Sequence, residues 1–223
     1  MSLGEGEEHP LIGLLYRPLS AFEEIKQRES GSWSLIIFLG VIAAGVLNDV
    51  VLISKIYVAE SPPLGIQGPP VVQWIYQQQS LFFYTLALSA YYYGIHVVLE
   101  VLFNFAVVWL ILFFFGKTKD SKGGTKHLFY FSFYSLFPML VLGIVSILLA
   151  SMVPYMSYLN LLQVESANFF YRLWEYVGWI GELWVAILTA ASAHSSHSVQ
   201  GQQLLFLVSL VALATFLRIY YVF

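Results

Sequence analysis

The segment from Gly94 to Gly116, GIHVVLEVLFNFAVVWLILFFFG, is apolar enough to cross a bilayer yet carries His96, Glu100 and Asn104. These three recur at every fourth position, so a helix places them in one polar stripe. A carboxylate inside a spanning helix costs at least a few kcal/mol unless it faces protein or water. The remaining helices must therefore pack on that stripe or open a polar cavity against it, which makes Glu100 the first candidate for function. Composition agrees with a chain built for lipid. With 59% hydrophobic residues, 10% charged residues and a mean hydropathy of +0.74, its surface could not stay dispersed in water. The expected fold is all-α, a polytopic transmembrane helix bundle whose first partner is the lipid bilayer.

The same numbers exclude other classes. A net charge of -3 and the lack of a clustered Lys/Arg face argue against a nucleic-acid partner. The chain has no cysteine, so disulfides, thiolate metal ligands and cysteine nucleophiles are excluded. Neither a nucleophile elbow nor an HExxH helix occurs, and no catalytic residue or cofactor is expected. Glu23, Glu24 and Arg28 form an EExxxR pattern like the first motif of CAAX-type membrane metalloproteases, but they precede the first span and no FxxxH follows. No basic n-region precedes the first apolar run, so that run is expected to stay as an anchor.

In chain order, residues 1–32 form an N-terminal segment that begins with the acidic Glu5, Glu7 and Glu8. Ser20 and Glu23 have capping-box spacing, Pro18 blocks a helix from running straight through, and a short helix follows from Ala21 to about Glu29. Phe22 and Ile25 give it an apolar side, and Lys26 and Arg28 are within reach of headgroups, so it reads as a surface-lying helix or a solvated juxtamembrane turn. Residues 33–223 form the membrane domain, with spans at about 33–53, 95–115, 128–149, 171–192 and 202–222. In the first span Gly40 and Ala44 make a small face for close packing, and Ala186 and Ala190 make another in the fourth; both are expected to leave surface for self-association or another membrane protein.

The connecting segments set the topology. Pro62, Pro63, Pro69 and Pro70 mark a loop, after which residues 71–92 carry Gln73, Gln77, Gln78, Gln79 and the cluster Tyr91 to Tyr93. That stretch reads as an interfacial helix with an aromatic belt. Pro138 predicts a kink in the third span, with the Ser132 and Ser135 hydroxyls satisfying freed backbone groups. Counting basic residues places Arg17, Lys26, Arg28, Lys117, Lys119, Lys122 and Lys126 inside and Lys55, Arg172 and Arg218 outside. The N-terminus is then cytoplasmic and the C-terminus external, with Arg218 snorkelling outward.

Residues RPLSAFEEIKQRESGSW, which hold a P-x-x-x-F entry, and GGTKHLFYFSFYSLFPMLVLGIV, a glycine-containing loop leading into a helix with a central proline, resemble prokaryotic Yip1-domain proteins. The likeness extends to five spans and a very short external C-terminus. It implies an integral protein of a prokaryotic cell membrane, working as a scaffold or interaction protein. The chain lacks the DLYGP-like stretch and the long cytoplasmic tail of eukaryotic relatives, so their small-GTPase partners are not carried over.

The residues also support a reading of their own. In a five-span bundle Asp49, His96, Glu100 and Glu175 share the outer half of the membrane, with Asn104 and Glu182 deeper. Imidazole and carboxylates at one level suit a divalent cation, a proton relay or a hydrated path, and the alternative function is a small cation or proton transporter or channel subunit. The structural reading makes them glue: Glu100 hydrogen-bonded across helices, Arg172 paired with Glu175, His96 at the headgroups and Asp49 at an interface. The HSSH tract, His194 to His197, reads as a polar turn or as two metal-ligating histidines.

Overall fold

The computed structural model describes residues 9–28, 32–60, 71–74, 79–117, 124–157 and 168–222. Glu5, Glu7, Glu8, the four loop prolines, Gln77, Gln78, Lys119 and Lys122 lie outside the described residues. The elements are α1 (Pro10–Gly13), α2 (Pro18–Arg28), α3 (Ser32–Ile53), β1 (Ile56–Glu60), β2 (Val71–Trp74), α4 (Gln79–Phe114), α5 (Gly124–Tyr134), α6 (Phe137–Met152), β3 (Met156–Ser157), α7 (Phe169–Ala191), α8 (Ala193–His197) and α9 (Gly201–Val222). Five helical segments among the described residues are long and apolar enough to cross a membrane: Ser32–Ile53, Leu86–Phe114, Gly124–Met152, Phe169–His197 and Gly201–Tyr220.

The stretch expected to be a separate interfacial helix at 71–92 is not one. Val71–Trp74 is a strand, and from Gln79 one helix of 36 residues runs unbroken to Phe114. At 1.5 Å per residue that is about 54 Å, well beyond a hydrocarbon core of about 30 Å. No proline interrupts the run, and the single Gly94 costs a helix only about 1 kcal/mol. Its far end is sharp. Gly116 takes φ +69° and the Lys117 N–H reaches the Leu112 carbonyl at 3.0 Å, closing the helix with a left-handed cap.

The chain divides into two compact units. The first comprises the chain up to Val41, Val97–Val141, and Trp179 onward. Its core joins Val108 and Leu112 of α4, Leu128 of α5, Ala186 and Ala190 of α7, and Leu207 and Val211 of α9. The alanines let neighbouring helices approach closely, so the face expected to be free for a partner is consumed within the chain. The Gly40 and Ala44 face is used likewise: a Cβ on Gly40 would stand 3.0 Å from Leu140 Cδ1.

Helix α2 is also buried by protein rather than by lipid. Phe22 is fully buried with its ring 5.0 Å from that of Phe131, Ile25 is buried beside it, and Lys26 Nζ donates to the Ser195 carbonyl at 2.7 Å. An amphipathic face fits a lipid surface and a protein groove equally well; here the groove takes it. The helix starts at Pro18, where a missing N–H is harmless, and Ser20 Oγ donates back to the Arg17 carbonyl instead of capping the helix. In the third span α5 ends at Tyr134 and α6 begins at Phe137, a break rather than a kink. Ser132 and Ser135 hydroxyls donate to the Leu128 and Phe131 carbonyls, each at 2.9 Å and one turn back, and not, as expected, to the Tyr134 carbonyl from which Pro138 withholds an N–H.

The second unit comprises Ile42–His96 and Leu142–Gly178. The segments between its helices form a small sheet ordered β2-β1-β3, antiparallel between β1 and β2 and parallel between β1 and β3. Lys55 donates to the Ser151 carbonyl and, at 2.7 Å, to that of Val153, tying the end of α3 to the end of α6. Gly45 is the tight point of this unit: an added Cβ would lie 2.6 Å from Tyr93 Cδ1, and one on Gly143 would lie 2.9 Å from the Ala44 Cβ.

Two substitutions test this packing. Phe22→Ala is expected to destabilise the protein by about 3–5 kcal/mol in detergent unfolding, whereas a lipid-facing phenyl would leave unfolding unchanged. Gly45→Ala is expected to cost about 1–3 kcal/mol by forcing the Tyr93 ring aside; an unchanged midpoint would contradict the close approach.

Candidate functional site

The polar stripe of α4 points into the first unit. Glu100 and Asn104 are both fully buried, and Asn104 Nδ2 donates to Glu100 Oε1 at 2.6 Å, as residues one turn apart on a helix can. The other oxygen of Glu100 is paired with the Arg218 guanidinium, which comes from α9. The second arm of that guanidinium donates to Glu182 Oε2 of α7 at 2.7 Å. The face of the Phe103 ring lies 5.0 Å from Arg218 Cζ. One planar fork thus ties α4, α7 and α9 together, a task suited to arginine because its donors diverge in a fixed plane.

Arg218 therefore does not snorkel outward; only 18% of its side chain is exposed. Reaching the headgroups would hydrate one cation but leave two carboxylates in an apolar core, and breaking a buried pair in this way costs about 3–5 kcal/mol. Asn104 Oδ1, Thr215 Oγ1 and Arg218 Nε are buried without a hydrogen-bond partner among the described residues. Thr215 stands one turn before Arg218 on α9, so the cluster keeps spare donors and acceptors beside its ion pairs.

Asp49, His96 and Glu175 belong to the second unit. There Asp49 accepts hydrogen bonds from Ser89 Oγ at 2.6 Å and Tyr93 Oη at 3.2 Å, which makes it a bridge between α3 and α4. The His96 ring stacks on Tyr92 at 5.9 Å, and Glu175 is exposed. The HSSH tract forms the short α8 in the first unit, where His194 Nδ1 lies 3.0 Å from the Val199 carbonyl and Ser196 Oγ lies 2.9 Å from His197 Nδ1. It is a buried polar turn. Arg218, Ser89 and Tyr93 were not singled out by sequence as partners. The available signal for Arg218 was charge balance, since a cation in the last span suits carboxylates in two others.

Fold and site together define a polytopic helical membrane protein in which Arg218 is paired with Glu100 and Glu182. The Yip1 domain model matches residues 12–222, and the chain belongs to that family. Neither the curated proteins nor the solved structures provide a significant match.

The cluster makes a directional prediction. Arg218→Leu is expected to destabilise the protein by about 3–5 kcal/mol, and adding Glu100→Leu and Glu182→Leu is expected to recover most of that loss, since a triad replaced by apolar residues leaves no unpaired charge. Unfolding midpoints of the single and triple variants in one detergent check this; equal losses in both would contradict the pairing.

Proposed function

We propose that the protein is an integral membrane scaffold or interaction protein of the Yip1 type, without catalytic activity or a required cofactor. The observation that carries this reading is the Arg218 fork between Glu100 and Glu182. A guanidinium seated between the two carboxylates repels an incoming cation and occupies their lone pairs, so the charges act as cross-links between helices. Divalent-cation binding or proton conduction at Glu100 would require displacing that guanidinium. The apolar residues left outward, such as Leu205, Phe206, Leu213 and Phe216 of α9, suit lipid or the spans of a partner.

The reading includes a cytoplasmic N-terminus and an external C-terminus. Support for the orientation comes from the count of basic residues, and support for the five-span order from two lysine contacts. Lys26 is bonded to Ser195, and Lys55 to Ser151 and Val153, and in each case the five-span order assigns both partners to the same side. Because the chain lacks cysteine, single Lys117→Cys and Ser151→Cys variants report sidedness cleanly. Labelling of intact cells with an impermeant maleimide is expected at position 151 and not at 117; the reverse pattern would overturn the orientation.

Function is tested by ion and proton flux in proteoliposomes. The native protein and Glu100→Gln are expected to give the same background leak while a control transporter is active. Flux that disappears in Glu100→Gln, with folding intact, would replace the scaffold reading by a transport one.

A further inference from the structure

Two contacts fix how α4 and α9 lie against each other. Arg218 of α9 is paired with Glu100 of α4, and the Phe115 ring, just past the end of α4, lies 6.0 Å from the ring of Phe206 near the start of α9. The helices therefore run antiparallel, so the step from Glu100 toward Phe115 on one matches the step from Arg218 back toward Phe206 on the other. Asn104 stands four residues from Glu100, and Thr215 stands three residues from Arg218. These are rises of about 6 Å and about 4.5 Å, which bring Asn104 and Thr215 to one level of the α4–α9 contact. Both are fully buried. One turn further along, Val108 and Val211 belong to the apolar cluster and offer no polar group.

Asn104 and Thr215 do not bond each other. Asn104 donates from Nδ2 to Glu100 Oε1 at 2.6 Å, while its Oδ1, Thr215 Oγ1 and Arg218 Nε are buried without a hydrogen-bond partner among the described residues. A threonine in a helix can satisfy itself on the carbonyl one turn back, as Thr189 does on Val185 at 2.9 Å; Thr215 does not. The three atoms differ in kind. Nε–H only donates, Oδ1 only accepts, and the hydroxyl does either. An anion at this level would face the Glu100 carboxylate and Oδ1, and a cation would face the guanidinium. A water molecule suits all three: it accepts from Nε–H, donates to Oδ1 and makes a third bond with Oγ1, the usual number for a buried water.

We propose that Asn104, Thr215 and Arg218 form a binding site for one ordered water between α4 and α9, beside the Glu100–Arg218 contact. The water gives the remaining donor of the guanidinium a partner, and it links the two helices by a path that uses no carboxylate. It also favours this axial register, because a slip of one turn would set Asn104 or Thr215 against a valine of the apolar cluster.

The test is solid-state NMR of the full chain in bilayers of deuterated lipid, reading magnetisation passed from water protons to the Arg218 Nε and the Asn104 carboxamide carbon. Arg17, whose side chain is 42% exposed, is the positive control in the same spectrum. Transfer to both atoms is expected in the native protein. It is expected to be lost in Thr215→Val, which keeps the shape of the side chain but not its hydroxyl, and kept in Thr215→Ser. The Nη contacts with Glu100 and Glu182 are read separately, so loss of the water is distinguishable from loss of the fork. Native protein in which Arg17 receives magnetisation and Arg218 Nε does not would overturn the proposal, as would transfer that is unchanged in Thr215→Val.

Discussion

A guanidinium held between two carboxylates in an apolar core is the constraint on which the first unit depends. Glu100, Glu182 and Arg218 come from α4, α7 and α9, and none of them is tolerable alone among lipid-exposed helices. Once paired they fix more than energy. An arginine fork accepts its partners only in its own plane, so the rotation of all three helices about their axes is specified together. The surrounding packing is consistent with that rotation: the small Ala186 and Ala190 of α7 meet Val108 and Leu112 of α4 and Leu207 and Val211 of α9.

The same economy governs the rest of the polar inventory. Asp49 is satisfied by two hydroxyls from α4, the serines before Pro138 bond carbonyls one turn back, and the two lysines Lys26 and Lys55 close helix ends by donating to backbone carbonyls. In a medium without water each such group must find a partner inside the chain. A membrane protein that spends its polar groups in this way presents mostly apolar side chains outward, and those are what a membrane partner or the lipid meets. Exceptions in the first unit include Asn104 Oδ1, Thr215 Oγ1 and Arg218 Nε, which are buried without a hydrogen-bond partner among the described residues.

Much of this was legible in the sequence, for identifiable reasons. Five apolar runs of bilayer length announce five spans directly, because length and hydropathy are local properties. The Glu100–Asn104 contact was legible too, being one helical turn. What was not legible depended on distant partners. Arg218 lies near the end of its span, where a lone arginine reads as snorkelling; only the position of Glu182, 36 residues earlier in the chain, reverses that. The face of Phe22 and Ile25 would suit a headgroup layer as well as it suits α5, and the pattern alone does not choose. The merging of 79–92 into α4 was hidden by glutamines and tyrosines, whose polarity suggests an interface although none of them breaks a helix. Glu175 and Glu182 are two turns apart on α7, yet one is exposed and the other buried.

Family membership and the paired charges lead to one picture: a Yip1-domain protein whose intramembrane carboxylates hold helices together. The most direct test of that picture is solid-state NMR on the protein in lipid bilayers, measuring dipolar dephasing between arginine guanidinium nitrogens and glutamate carboxyl carbons, with Arg218→Lys as the blank. The account predicts strong dephasing, set by an N–O contact of 2.7 Å between Arg218 and Glu182, that is lost in the blank while the weaker signal of the Arg17–Glu24 pair at 3.7 Å remains. Native protein that shows no Arg218-dependent dephasing, with the guanidinium resonance in a water-exposed position, would contradict it.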